Sequence, residues 1–152
     1  QGFITIATDN DWHNNQPYSQ TEELSNALRN IHQLLTPHGF EFGHRVYYES
    51  QRFASMYEAA GSTSIEDALD RILIQKILPR LHGSRRRLEV LIKELAQYCY
   101  DLSMPASDNK SLDISFDPES KDENDASLPN SFEKLTRMLR SLRANQFTSF
   151  TE

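Results

Sequence analysis

Between Leu24 and Leu102 the apolar residues recur in steps of three and four, in four successive runs, and that spacing calls for packed helices. The first run is Leu24, Ala27, Leu28, Ile31, Leu34 and Leu35; Ser19 and Glu22 stand at capping-box spacing before it, and Pro37 and Gly39 end it. The second, from about Arg45 to Ala60, puts Val46, Ser50, Phe53, Ala54 and Tyr57 on one side and stops at Gly61. In the third, Leu69, Ile72, Leu73, Ile74, Ile77, Leu78 and Leu81 are apolar nearly all round, as suits a central helix. Thr63 and Glu66 are its expected capping pair, and Pro79 is expected to kink it or to start its last turn. Gly83 reads as the end of that helix and Ser84 as the cap of the next, which carries Leu88, Leu91, Ile92, Leu95, Cys99 and Leu102. Four amphipathic helices with short connections predict a mainly α fold, a helical bundle over residues 19–102.

The flanks differ in composition. Residues 1–18 read as a strand remnant, Phe3-Ile4-Thr5-Ile6-Ala7, followed by a polar linker around Trp12. Residues 103–130 are rich in Ser, Asp, Asn and Pro and are expected to be largely disordered, with a short alternating stretch from Leu112 to Phe116. Over residues 131–152, Ser131 is expected to cap a last helix with Leu135, Met138, Leu139 and Leu142 inward. Phe147-Thr148-Ser149-Phe150 is then a short closing strand.

Charge is distributed just as unevenly. Eight acids between Asp101 and Ala126, against Lys110 and Lys121, account for the whole net charge of -6 and leave the rest of the chain balanced. An acidic total therefore leaves room for a basic surface elsewhere. One cysteine, Cys99, excludes an internal disulfide and a thiolate zinc cluster, and fits a cytoplasmic setting. No apolar run approaches the roughly 20 residues of a membrane span, and the start has no signal-peptide character. A chain that begins at Gln1 without methionine reads as a piece of something longer. There is no P-loop motif and no apolar run ending in Asp-Glu, and His13, His32, His38, His44 and His82 never share one helix at i, i+4. No catalytic residue is therefore expected in this chain.

One constellation stands out. His82-Gly83-Ser84-Arg85-Arg86-Arg87-Leu88-Glu89 puts three arginines on the first turn of a helix, where the macrodipole disfavours cations. A docked anion would reverse that sign, since free backbone N–H groups and guanidinium forks both favour phosphate. The competing reading is a solvated basic turn, paired with Glu89 and Asp101. Lys134, Arg137, Arg140 and Arg143 on the last helix are a second basic face; they suit DNA phosphates, or else a solvated face or one neutralised by the acidic insert. Arg45 and Glu49 are expected to pair at i, i+4, and Tyr47, Tyr48 and Tyr57 to be half-buried helix residues.

The stretch Ile72-Leu73-Ile74-Gln75-Lys76-Ile77-Leu78-Pro79-Arg80-Leu81-His82-Gly83-Ser84-Arg85-Arg86-Arg87-Leu88-Glu89 resembles the lid region of McrB-like AAA+ NTPases, the motor subunits of modification-dependent restriction systems. The similarity takes in Phe42-Gly43-His44-Arg45-Val46, Glu49 and Arg52-Phe53, and more weakly Leu135 to Phe150. It implies that Gly83, Ser84, Arg85 and Arg86 form a sensor 2 turn, where an arginine reaches the γ-phosphate held by a large subdomain upstream. It also implies GTP or ATP with Mg²⁺, a homo-oligomeric ring, a nuclease subunit and DNA as partners, and no membrane. The alternative is a non-catalytic helical module that binds DNA or protein through its basic faces.

Overall fold

A computed structural model describes residues 19–61, 64–102 and 116–150. The strand expected at Phe3–Ala7 and most of the alternating stretch before Phe116 lie outside those residues. Among them are five α-helices: α1 (Thr21–Leu35), α2 (His44–Ala59), α3 (Ile65–Ile72), α4 (Arg85–Tyr100) and α5 (Pro129–Asn145). Strands β1 (His82–Ser84) and β2 (Phe147–Ser149) pair antiparallel, with His82 opposite Ser149, Gly83 opposite Thr148 and Ser84 opposite Phe147. The chain is thus mainly helical, as the apolar periodicity requires. No helix among the described residues is long and apolar enough to cross a membrane.

The apolar runs land where their spacing puts them. Leu24, Leu28, Ile31 and Leu35 of α1 are buried against Leu69, Ile72, Leu88, Leu91, Ile92 and Leu95 in one continuous core. Helix α2 buries a thinner face, Ser50, Gln51, Ala54 and Ser55, and is tied to α1 by polar contacts. Tyr47 Oη donates to the Ser25 carbonyl at 2.9 Å, and Gln51 Nε2 to Ser25 Oγ at 2.8 Å.

Several caps differ from expectation. Ser19 does not cap α1; its N–H and hydroxyl turn to Glu58 on α2, and Gln20 holds the cap position without a side-chain bond. Helix α3 is capped by Ser64, whose Oγ accepts from the Asp67 N–H at 3.2 Å; Thr63 lies outside the described residues. After Ile72 the helix widens into a π turn, Leu73–Ile77, and then tightens into a 3₁₀ turn, Leu78–Arg80. Pro79 is the cause: it has no N–H for the Gln75 carbonyl, and its ring would clash there. Gly83 consequently lies in β1 at φ 138°, a conformation that strains any residue with a Cβ, and not at a helix end.

The final helix is a member of the bundle, not an appendage. Phe132, Leu135, Met138, Leu139 and Leu142 are buried against α4. Within the acidic stretch, residues 116–130 are described, and apolar pegs set their place against the bundle despite the polar composition. Pro118 and Leu128 are buried, and Phe116 meets the Tyr100 ring at 5.7 Å between centroids. Ser131 does not cap α5; the helix begins two residues earlier, at Pro129.

Cys99 sits in this core with no exposed surface, and burial pushes its thiol up from the ordinary range. An aromatic disulfide reagent is expected to leave it unmodified in the native chain and to label it rapidly in strong denaturant. Stoichiometric labelling under native conditions would contradict the packing of α4 on α5.

Candidate functional site

The arginine turn is built by the β-pairing. Helix α5 ends at Gln146, which adopts a left-handed conformation at φ 63° and redirects the chain into β2. β2 pairs with β1, and the Gln146 carbonyl accepts the first N–H of α4, from Arg85, at 2.9 Å. Ser84 holds the cap position in extended backbone, but its hydroxyl makes no capping bond. The N–H groups of Arg86 and Arg87 are therefore without a side-chain cap at the positive end of the helix dipole.

Successive helical positions point about 100° apart, and the three arginines take three different environments. Arg85 folds back along its own helix: Nε donates to Glu89 Oε1 at 3.0 Å and Nη2 to Oε2 at 3.3 Å. Arg87 lies over the Phe40 ring at 4.7 Å, a cation–π contact that consumes much of its freedom. Arg86 is exposed and makes no ion pair with any described residue.

Glu89 is the hub of a wider network. Arg143 of α5 reaches its carboxylate at 3.6 Å. The hydrogen bond from Arg85 holds the Glu89 carboxyl below the usual carboxylate range against the raising effect of its burial, and Arg143 lowers it further. Arg143 also donates to Asp117 Oδ1 at 3.3 Å and to Glu119. Arg140 meets Glu119 Oε1 at 3.3 Å.

The other basic residues of α5 are engaged as well. Arg137 pairs with Glu133 one turn back, Nε to Oε2 at 3.0 Å, and the Lys134 ammonium lies 4.7 Å over the Phe150 ring. Arg45 pairs with Glu49 as its spacing indicates, at 3.3 Å, and Lys76 joins them at 3.5 Å. Tyr47 and Tyr57 are half-buried, with Arg71 Nε donating to the Tyr57 hydroxyl at 2.9 Å; Tyr48 is exposed. His38 faces Glu94 at 3.1 Å. Among the described residues no group of three His, Cys, Asp or Glu side chains is placed to hold a metal ion.

Sequence reasoning found Arg85–Glu89 from its i, i+4 spacing. Its reading of the α5 face as neutralised by the acidic insert holds for Arg140 and Arg143, which meet Glu119 and Asp117; which acids do so is set by contacts that span more than twenty residues and have no local signature.

The family described as "Domain of unknown function (DUF8727)" matches residues 4–147. The chain belongs to that family. The DUF8727 match takes in all five helices, the arginine turn and the acidic segment. No curated protein and no solved structure matches the chain.

Chemically, the α4 turn offers one uncommitted guanidinium beside uncapped N–H groups, a combination suited to an oxyanion.

Proposed function

We propose that this DUF8727 chain is the C-terminal helical lid of a McrB-like AAA+ GTPase or ATPase. It closes over a nucleotide bound mainly by an upstream subdomain and places a sensor 2 arginine at the phosphates. The observation that carries the reading is Arg86: it is exposed and has neither an ion pair nor a ring contact with any described residue, whereas Arg85 is paired with Glu89 and Arg87 lies over Phe40. A cation at a helix N-terminus is disfavoured by some tenths of a kcal/mol, and a phosphate turns that cost into a gain. Arg85 and Arg87 buttress the turn through Glu89 and Phe40.

In this reading Mg²⁺ and the nucleotide are held upstream, and the lid supplies Gly83, Ser84 and an arginine to the phosphate oxygens. Hydrolysis is coupled through α4 to a homo-oligomeric ring that acts with a nuclease subunit on DNA in the cytoplasm. The chain by itself hydrolyses nothing.

The reading frame upstream of Gln1 is the first test. It is expected to encode a strand, G-x-x-x-x-G-K-[ST] and a helix, and the intact protein is expected to hydrolyse GTP or ATP. An initiator codon immediately before Gln1, or an intact protein without nucleotide hydrolysis, would overturn the reading.

A further inference from the structure

Lys134, Arg137, Arg140 and Arg143 follow one another at every third position of α5, so they wind in steps of about 60° around its outward half. Against the C-terminal part of this winding lies the 3₁₀ turn Pro118–Ser120. Glu119 contacts both Arg140 and Arg143, and Asp117 contacts Arg143. The turn is tied by its own hydrogen bonds: Asp117 Oδ1 accepts the Glu119 N–H at 3.2 Å, Ser120 Oγ donates to the Asp117 carbonyl at 2.8 Å, and Pro118 between the two acids is buried. Two carboxylates are thereby offered to two guanidinium forks, the arrangement in which arginines take phosphate oxygens.

The rest of the face indicates what kind of partner would replace them. Among the described residues the exposed large hydrophobics are Tyr48, Met56, Val90 and Phe147, and none is on α5. A protein interface is normally anchored by buried aromatic or aliphatic side chains, and a membrane-surface helix needs an exposed apolar face. The outward side of α5 has cations, three of the four being arginine, and no such anchor.

We propose that the outward face of α5 is a binding surface for the phosphate backbone of duplex DNA. The turn carrying Asp117 and Glu119 is an internal anion that occupies Arg140 and Arg143 and holds the surface closed. The proposal does not rest on the lid reading, and its test contains no nucleotide.

The experiment is fluorescence anisotropy of a labelled duplex, with the intact protein, between about 50 and 200 mM salt. Asp117→Asn with Glu119→Gln is expected to tighten binding several-fold at low salt and to steepen the log–log salt slope by about 1 for Arg140, with a smaller addition from Arg143, which keeps Glu89 at 3.6 Å. Adding Arg140→Ala and Arg143→Ala should cancel the gain. Glu22→Gln with Glu23→Gln on α1 alters the net charge equally and should leave binding at the parental level.

No gain in the double variant overturns the proposal. So does a gain that survives removal of the two arginines, an equal gain in the α1 control, or tighter binding to anionic vesicles with none to DNA. If the double variant loses helicity, Glu119→Gln alone decides the matter, because it frees Arg140 while Asp117 stays on Arg143. Its expected slope change is about 1, and no change overturns the proposal.

Discussion

Replacing Asp70 by alanine is expected to destabilise the chain by about 1–3 kcal/mol, because it removes the cap of a helix far along the chain. The first turn of α5 leaves four backbone positions to be satisfied, and each is accounted for. The Leu128 N–H donates to the Cys99 carbonyl at 2.9 Å, joining the start of α5 to the end of α4. Pro129 has no N–H. The Asn130 N–H donates to Asp70 Oδ2 at 3.0 Å, and the Ser131 N–H to Asp70 Oδ1 at 2.7 Å.

Asp70 is 3% exposed and Ser131 is fully buried, so water cannot replace the acceptor of the Ser131 N–H without opening the core, whereas Asn130 is exposed and its N–H can turn to solvent. The orphaned Ser131 donor costs about 1–3 kcal/mol, and loss of the anion at the helix N-terminus adds some tenths to that. The Ser131 hydroxyl keeps its bond, since it donates to the Asp70 main-chain carbonyl at 3.1 Å. Asp70→Asn, which retains one carbonyl oxygen and no charge, should fall between the parent and Asp70→Ala. Urea unfolding monitored by helicity measures both. A midpoint for Asp70→Ala within about 0.5 kcal/mol of the parent, the range of a neutral surface change, would show that α5 needs no such cap.

Asp70 also marks the limit of what could be read along the chain. The apolar faces of α1, α3, α4 and α5 were legible because a helix repeats every 3.6 residues and the signal is local. The widening at Leu73–Ile77 was foreshadowed by Pro79, whose missing N–H acts on its own neighbourhood. The cap position of α5 lies three residues before Ser131, at Leu128, because the capping carboxylate comes from α3, and nothing near Ser131 signals that. The placement of residues 116–130 was hidden for a related reason. Composition averages over the stretch, whereas its position is set by Phe116, Pro118 and Leu128, each resting on a surface far away in sequence. At the arginine turn, spacing suffices to pair Arg85 with Glu89, and it shows that three adjacent arginines cannot share one direction. Which of them is left over depends on Phe40 receiving Arg87, a contact across the bundle.

That division of labour gives the proposed lid its sharpest test. In the intact protein, Arg86→Ala is expected to lower nucleotide turnover on the order of 10³-fold, the scale of an arginine that stabilises charge in phosphoryl transfer. KM should change little, because the interaction is strongest in the transition state. Arg86→Lys should restore only part of the rate, since an ammonium is a point charge and not a planar fork. Arg86 makes no ion pair with any described residue, so Arg86→Ala should leave the melting temperature unchanged, and lost turnover cannot be blamed on lost fold. Arg85→Ala and Arg87→Ala should behave in the opposite way. They remove the tie to Glu89 and the contact with Phe40, so each should lower stability by about 0.5–1 kcal/mol, with a smaller loss of turnover. Full activity in Arg86→Ala would refute the assignment. Loss of activity in Arg85→Ala alone would mean that Arg85 leaves Glu89 for the phosphate, with Arg143 remaining to hold the carboxylate.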